Sequence, residues 1–343
     1  MMKRLLILCL SMQTAVAQQI VVKGQLADSA RVILTDMRKA DTVWTRNGQF
    51  RFERDFAGTL YSLTVAKNKQ TFFATSGEIT YNGDSVRLDH PELQNRYQAF
   101  TKKLEPLNDL RAGLDSFYNA NKPVAKEDLA RLNSMAKAIA DLKVALFKRA
   151  VAENKQNAVG AYVLYRYLYD LPESLQLDSL VKTIDPEVAK LSYPLQQLRK
   201  TLDIKLSLLP GHVPPELSGI DINGKAFNAA SLKGKYVLLD FWGSWCVPCL
   251  SGLPKMKAEY EKYKDKIAFV SIACHDKEAK WRAMVAKQGM TWTQLLDDSK
   301  DRYARQFYVE NFPTKILIGP DGKVIEVFRG EGDSFYKKLE ELF

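Results

Sequence analysis

Two cysteines separated by two residues, Cys246 and Cys249, are the side chains of this sequence best suited to chemistry. Two thiols at this spacing can close into a small disulfide and reopen. The apolar run from Tyr236 to Trp242 predicts a buried strand, after which the cysteine motif begins a helix. A helix N-terminus favours the thiolate form of a cysteine, and the thiolate is the form that attacks a disulfide. The sequence therefore predicts a redox-active pair with Cys246 as its nucleophile.

Three other interpretations of the pair are less well supported. A zinc site requires about four ligands, and the sequence has no second Cys-x-x-Cys and no His pair. A c-type haem requires a histidine directly after the second cysteine, where Leu250 stands instead. A purely structural disulfide remains open, although a bridge across two residues closes too small a loop to stabilise a fold by much. We therefore expect neither a metal nor another cofactor.

Several motifs follow the cysteine pair in order. Pro254 lies inside the helix that the cysteines begin, an Asn-Phe-Pro-Thr run leads into an apolar strand, and a turn at 320–323 precedes the next strand. Together with the Trp-Cys-Val-Pro-Cys motif, they resemble the thioredoxin fold and, within it, the TlpA/ResA-like thiol–disulfide oxidoreductases of bacterial cell envelopes. The resemblance covers residues 211–343, and it implies an α/β thioredoxin-like domain with oxidoreductase activity.

The resemblance implies separate roles for the two cysteines and for a nearby acid. Cys246 would be the exposed attacking thiolate, and Cys249 would be the buried resolving thiol. Asp240 stands within the apolar strand, where a carboxylate is costly unless it is protonated or hydrogen-bonded. Burial would raise its pKa, and the resemblance implies that it takes the proton of the resolving thiol. The alternative is that Asp240 ends the strand and caps the following loop.

One position departs from the pattern of this family. TlpA/ResA-like proteins often carry a glutamate three residues after the second cysteine, and Gly252 stands there in this sequence. Proton handling would then depend more heavily on Asp240.

The resemblance also implies a substrate-binding surface beside the cysteines. Pro313, which we count among the catalytic residues, would follow a cis peptide bond and place the backbone of Phe312 beside the disulfide. An extended client segment could pair with that backbone as a strand does. We predict Phe312, Thr314 and Trp245 as substrate-binding residues. Trp242 would either help Trp245 to limit the access of water or pack in the core.

The start of the chain predicts a secretory signal over residues 1–17. Lys3 and Arg4 precede a short apolar run, and small residues precede Gln18 in the pattern of a cleavage site. Cys9 lies too early in the chain for the apolar segment that normally precedes a lipidated cysteine. We expect a protein of the periplasm or cell envelope, with no transmembrane segment in the mature chain.

The charge of the chain excludes one class of partner. The formal net charge of +10 at pH 7 is spread along the sequence without a dense basic run. No nucleic-acid-binding motif accompanies this charge, so we expect no nucleic-acid partner.

Export would leave three cysteines, an odd number that cannot all pair within one chain. Cys274 ends an apolar run, and we expect it to be a buried free thiol, with a regulatory or intermolecular role as the alternative. A dithiol in an oxidising compartment must be reduced again after each cycle. We therefore expect an unidentified electron donor in the envelope in addition to client protein disulfides.

The sequence before residue 211 predicts two further regions. This agrees with the length of the whole chain, because 343 residues are enough for two or three domains. Residues 18–90 alternate between apolar and polar positions, with a hairpin signal at Asn47-Gly48. This region resembles the small β-domain of unknown function that precedes thioredoxin domains in bacterial envelope proteins. Residues 91–209 show helical spacing. The predicted fold class is multidomain, with an N-terminal all-β domain, a central α-helical region and a C-terminal α/β thioredoxin-like fold.

We therefore expect an exported thiol–disulfide oxidoreductase that acts mainly as a reductant of envelope clients. Val247 and Pro248 stand between the cysteines, where strongly oxidising members of the family carry a histidine. An oxidant or isomerase of the same fold is the first alternative. A peroxidase is a second, but related peroxidases need a threonine where Gly243 stands. A third is an envelope binding protein whose N-terminal two-thirds does the work, with a redox-sensitive thioredoxin-like domain.

Overall fold

The computed structural model describes residues 19–74, 76–168, 174–297 and 301–343. The predicted signal at residues 1–17 and the question of lipidation at Cys9 lie outside these ranges. The chain forms two compact units, Met1–Arg199 and Lys200–Phe343. Within the described ranges, no helix has both the length and the apolar character needed to cross a membrane.

The first unit begins with two four-stranded sheets whose buried faces share one core. Alternation explains this arrangement, because every second side chain of a strand points to the same face of its sheet. One sheet has the order β4-β1-β7-β8, and the other has the order β3-β2-β5-β6. The strands are β1 Gln19–Gln25, β2 Arg31–Thr35, β3 Ala40–Trp44, β4 Gln49–Asp55, β5 Leu60–Val65, β6 Asn68–Phe73, β7 Gly77–Tyr81 and β8 Val86–Leu88.

The predicted hairpin at Asn47-Gly48 is correct for the turn and wrong for the strand pairing. Both residues have positive φ angles, 52° and 72°, as a tight two-residue turn requires. Only one bridge, Arg46 to Gln49, joins the two arms. Strand β3 pairs with β2, whereas β4 pairs with β1 in the other sheet. The turn therefore carries the chain from one sheet to the other.

Helices follow the β-region, as the helical spacing predicts. They are α1 Glu92–Ala120, α2 Lys126–Glu153, α3 Ala158–Tyr167, α4 Ser174–Val181, α5 Pro186–Leu191 and α6 Tyr193–Ser207, the last of which continues into the second unit.

The second unit is built on a five-stranded sheet of order β13-β12-β11-β14-β15. Strands β11, β12 and β13 are parallel, and β14 and β15 run antiparallel to their inner neighbours. The strands of this unit are β9 Ser218–Ile220, β10 Ala226–Asn228, β11 Tyr236–Trp242, β12 Ile267–Ala273, β13 Thr293–Leu296, β14 Thr314–Ile318 and β15 Val324–Arg329. Its helices are α7 Val247–Tyr263, α8 Glu278–Gln288, α9 Arg302–Gln306 and α10 Asp333–Leu342.

Strand β11 lies at the centre of this sheet, with an apolar core on each face. Every residue of β11 after Tyr236 is buried, which explains the continuous apolar run in the sequence. Leu208 contributes to one of the cores, and the N–H of Gly211 donates to the carbonyl oxygen of Val324 at 2.8 Å. These contacts show that residues before Gly211 belong to the second unit. The predicted fold class is confirmed for the three regions.

Candidate active site

The two cysteines lie where β11 gives way to α7. Cys246 is the N-cap of α7, and its sulfur accepts a hydrogen bond from the backbone N–H of Cys249 at 3.3 Å. The two residues form a disulfide with their Cα atoms 5.3 Å apart. Pro248 occupies the first turn of the helix, where a missing N–H carries no cost. The N-terminal N–H groups of α7 are therefore directed at the position where a thiolate would form on reduction.

The prediction that Cys246 is exposed is wrong for the disulfide form. Cys246 is 3% exposed and Cys249 is 6% exposed, and both belong to the apolar cluster beneath α7. The reason is that the sulfur of Cys246 is bonded to a partner that packs in this cluster. Three side chains of the motif are exposed, namely Pro248 together with Trp245 and Val247, which are 50% and 74% exposed.

Asp240 lies inside the sheet, so the alternative that it caps a loop is wrong. It is paired in register with Ser271 of β12 on one side and with Lys315 of β14 on the other. The hydroxyl of Ser271 donates to Oδ2 of Asp240 at 3.0 Å. The ammonium nitrogen of Lys315 lies 3.9 Å from Oδ1 of Asp240. Both polar neighbours reach Asp240 because directly opposed residues of adjacent strands share a face of the sheet.

Burial raises the pKa of Asp240 above its ordinary value, as the sequence predicts. Lys315 and the hydrogen bond from Ser271 act in the opposite direction, and the negative charge of Glu331 adds to the increase. Desolvation dominates because the carboxylate has lost its contact with water and has only one hydrogen-bond donor close to it.

A small cavity brings Asp240 and the resolving cysteine together. Its lining includes the side chains of Asp240, Trp242, Cys249, Pro313, Lys315 and Glu331. The carboxyl group of Asp240 and Cys249 therefore line the same small cavity, an arrangement that suits proton exchange between them. Trp242 is 1% exposed and belongs to the core as well as to this lining.

Sequence reasoning missed two members of this lining, Lys315 and Glu331. The side chain of Lys315 is only 5% exposed, and its nitrogen is 3.1 Å from Oε2 of Glu331. The position of Lys315 inside the apolar strand Thr314–Ile318 could have predicted a buried ion pair, because lysine is almost never buried without a partner. Glu331 offered no such signal, since it stands in a polar turn between β15 and α10.

An aromatic cluster stands beside the disulfide. The ring centroids of Trp245 and Phe312 are 5.4 Å apart, and the ring of His275 lies 6.0 Å from Trp245 and 5.5 Å from Phe312. The Phe312–Pro313 bond is cis, which confirms that prediction. Thr314 differs from these residues, because it is 3% exposed and its hydroxyl donates to the carbonyl oxygen of Asn311 at 2.7 Å. Its side chain faces the interior, which does not suit contact with a substrate.

The remaining cysteine, Cys274, is a buried free thiol, as predicted. Burial and the nearby carboxylate of Asp297, whose Oδ2 is 3.7 Å from the sulfur, raise the pKa of this thiol far above its ordinary value. A thiol held in its protonated form is a poor nucleophile. Among the residues whose positions the structure gives, no group of three or more His, Cys, Asp or Glu side chains is placed to hold a metal ion.

Comparison with known proteins places the similarity in the second unit. A family model described as thioredoxin-like matches residues 234–324. The thiol-disulfide oxidoreductase ResA of Bacillus subtilis (strain 168) is 34% identical over 128 residues, which are 37% of this chain and 70% of that protein. ResA of Bacillus anthracis is 33% identical over 122 residues, which are 35% of this chain and 70% of that protein.

The chain is also similar to solved structures. The thioredoxin domain of a thiol-disulfide oxidoreductase from Bacteroides vulgatus is 30% identical, with a TM-score of 0.37. The match covers 40% of this chain and 99% of that one.

Proposed function

This chain belongs, through its C-terminal domain, to the ResA family of thiol–disulfide oxidoreductases, and on that basis we propose that it is exported and reduces disulfides of client proteins in the cell envelope. The observation that carries the proposal is the cavity shared by Asp240 and Cys249, because it supplies a proton acceptor for the resolving thiol. The signal pattern of residues 1–17 supports export to the periplasm or envelope.

In the proposed cycle, the two thiols of Cys246 and Cys249 are oxidised to a disulfide while one disulfide of the client is reduced. The thiolate of Cys246 attacks one sulfur of the client disulfide, which forms a mixed disulfide and releases the other client sulfur as a thiolate. Cys249 then gives its proton to Asp240 and attacks the sulfur of Cys246. The bond between the two cysteines forms, the mixed disulfide breaks, and the client leaves with two added electrons. An envelope dithiol donor then reduces the Cys246–Cys249 disulfide.

The client segment is proposed to lie along the aromatic cluster of Trp245, His275 and Phe312. Trp245 and His275 are both exposed and offer apolar contact beside the disulfide. Phe312 lies two residues before the start of β14, so an extended segment could add to its backbone by main-chain hydrogen bonds. Such contacts select for extended backbone rather than for a particular side chain, which suits several clients.

The reducing direction is supported by the residues between the cysteines. Val247 and Pro248 provide no cationic side chain that would stabilise the thiolate of the reduced form, and a less stable reduced form makes a stronger reductant. A redox potential near that of thioredoxin, about −270 mV, would agree with this direction. A potential near −120 mV, as found for strong oxidants, would favour the oxidant alternative.

The reductase assignment is tested with Cys246→Ser in an insulin-reduction assay with dithiothreitol. We expect the variant to fall to the uncatalysed rate, because it loses the nucleophile that α7 activates. Cys274→Ser is the matched control and should keep the parent rate. Retention of most activity by Cys246→Ser would overturn the assignment of the nucleophile.

A further inference from the structure

The space in front of Gly252 is filled by a carboxylate from a distant part of the sequence. Gly252 lies on α7, one turn after Cys249. A Cβ atom at this position would stand 2.5 to 2.7 Å from the three carboxylate atoms of Glu331. No real Cβ contact is that short, so position 252 accepts only glycine while Glu331 stays in place. The space that a side chain at position 252 of α7 would need is thus occupied by the side chain of Glu331, which comes from the turn before α10.

Glu331 is anchored on both of its oxygens. Lys315 donates to Oε2 at 3.1 Å, and the hydroxyl of Tyr336 donates to Oε1 at 2.9 Å. The same ammonium group of Lys315 lies 3.9 Å from Asp240 on its other side. Tyr336, Glu331, Lys315 and Asp240 therefore form a continuous row that ends at the cavity of Cys249.

The charges of this row favour one bound proton. Two carboxylates and one ammonium group would carry a net negative charge in a mostly buried place if all three were ionised. One added proton makes the row neutral, which burial favours. Glu331 accepts two hydrogen bonds and its side chain is 23% exposed, so it holds the negative charge better. The proton therefore belongs on Asp240 in the disulfide form.

We propose that Glu331 is a positioning residue for thiol–disulfide exchange, which holds Lys315 and makes Asp240 the acceptor of the proton that Cys249 gives up. The proposal rests on the exchange chemistry described above and adds a residue to it. Glu331 acts on Asp240 in two ways, by its own negative charge and by drawing the ammonium group of Lys315 toward itself. Both effects favour the protonated form of Asp240.

Two substitutions are expected to act in opposite directions. Glu331→Gln keeps the shape; its amide oxygen can accept from Lys315, and its amide N–H can donate to the hydroxyl of Tyr336. It removes the negative charge and so weakens the hold on Lys315, and Asp240 should titrate at a lower pH. Lys315→Met keeps the length of the side chain and removes the cation, so Asp240 should titrate at a higher pH. A merely structural role of Glu331 would reduce activity or stability without moving this titration. The other charged groups near the row, which stay unchanged, are Lys255 and Glu259 on α7 and Asp333 on α10.

The first measurement is the carboxyl titration of the oxidised full-length protein by ¹³C NMR with labelled aspartate. The signal of Asp240 is assigned by its loss in Asp240→Asn. Glu326→Gln is the matched control, because Glu326 lies on the neighbouring strand β15 and pairs with Lys338 on the surface. The proposal requires the Asp240 midpoint to fall in Glu331→Gln, to rise in Lys315→Met and to stay in place in the control. Coincident midpoints in all four proteins would overturn it.

The second measurement is the decay of a mixed disulfide with a disulfide peptide, followed in a single turnover across pH. The pH profile of this decay should move with the carboxyl midpoint, and on its acid side each pH unit of displacement changes the rate about tenfold. A parent protein that forms no mixed disulfide would contradict the proposed function, while the carboxyl titration would still decide the role of Glu331. If Glu331→Gln does not fold, Lys315→Met still tests the contact through which Glu331 acts, because an unchanged Asp240 midpoint in that variant would overturn the proposal.

Discussion

Replacing Asp240 with asparagine removes the proton-accepting group of this side chain and leaves its packing within the sheet unchanged. Asparagine has the same shape, and its side-chain oxygen can accept the hydrogen bond that Ser271 donates at 3.0 Å in the parent. Lys315 keeps its ion pair with Glu331 at 3.1 Å, so the substitution leaves no buried cation without a partner. The variant should therefore fold as the parent does.

The effect on stability follows from the raised pKa of Asp240, which burial lifts above the ordinary value of 3.8. Between pH 3.8 and the folded pKa, the folded chain binds a proton at Asp240 and the unfolded chain does not. The stability of the parent therefore falls as pH rises through this window, by about 1.4 kcal/mol for each unit by which the pKa is raised. Asparagine does not titrate and escapes this loss. The variant should match the parent near the acid end of the window, and its advantage should grow until the folded pKa is passed.

Urea unfolding followed by tryptophan fluorescence measures this effect from pH 4 to 8. The signal reports mainly on the second unit, because Trp242, Trp245, Trp281 and Trp292 all lie there. Asp265→Asn is the control, since Asp265 is an exposed aspartate of the same unit. A stability difference that does not change with pH would refute the argument from burial.

The same variant should slow the resolving step and leave the first attack intact. Loss of a proton acceptor typically costs a factor of about 10² to 10⁴, so the mixed disulfide on Cys246 should form at the parent rate and decay at least about 100-fold more slowly. If Asp240→Asn decays at the parent rate between about pH 6 and 8, the proton of Cys249 leaves by another route.

Three further outcomes are expected. Cys249→Ser should accumulate mixed disulfides through Cys246, visible on non-reducing gels as high-mass species that vanish on reduction; the same species in Cys246→Ser would identify Cys274 as the reactive thiol. Cys274→Ser should show the parent rate of alkylation in the reduced protein, because burial holds this thiol in its unreactive form; a slower rate would show that Cys274 reacts. A fragment of residues 200–343 should reduce a small disulfide about as fast as the full chain. A shorter fragment that begins at Gly211 lacks Leu208 and should be less stable in urea. A 200–343 fragment that folds but is inactive would show that the first unit helps to build the site.

The parts of the fold that the sequence predicted are those set by neighbours along the chain. The apolar run before Cys246 and the helix after it are local features, and both appear at the expected residues. The turn at Asn47-Gly48 is also local, because two adjacent residues with positive φ decide it. The partners of the strands on either side of that turn were not predictable in the same way. Pairing depends on which distant strand completes each sheet, and the turn sequence contains no information about that choice.

Neither the burial of Cys246 nor the neighbours of Asp240 could be predicted from the sequence. The exposure of Cys246 depends on the state of its sulfur, which a list of residues does not specify. Ser271 and Lys315 stand beside Asp240 because of the register of three strands. A shift of one residue in the first pairing would move Ser271 to the opposite face, and the same shift in the second would move Lys315. An acid within an apolar strand could thus be recognised from the sequence, whereas the groups that set its proton affinity could not.

Gly252 shows why a departure from a motif has to be interpreted in space rather than along the chain. At the level of sequence, glycine at this position means that a carboxylate is missing near the resolving cysteine. In the structure, the carboxylate of Glu331 occupies the volume that a side chain at 252 would need. What proton transfer requires is a negative charge at a certain distance from Lys315 and Asp240, and any element that reaches that point can supply it. The glycine is then the condition that lets the turn before α10 provide the charge.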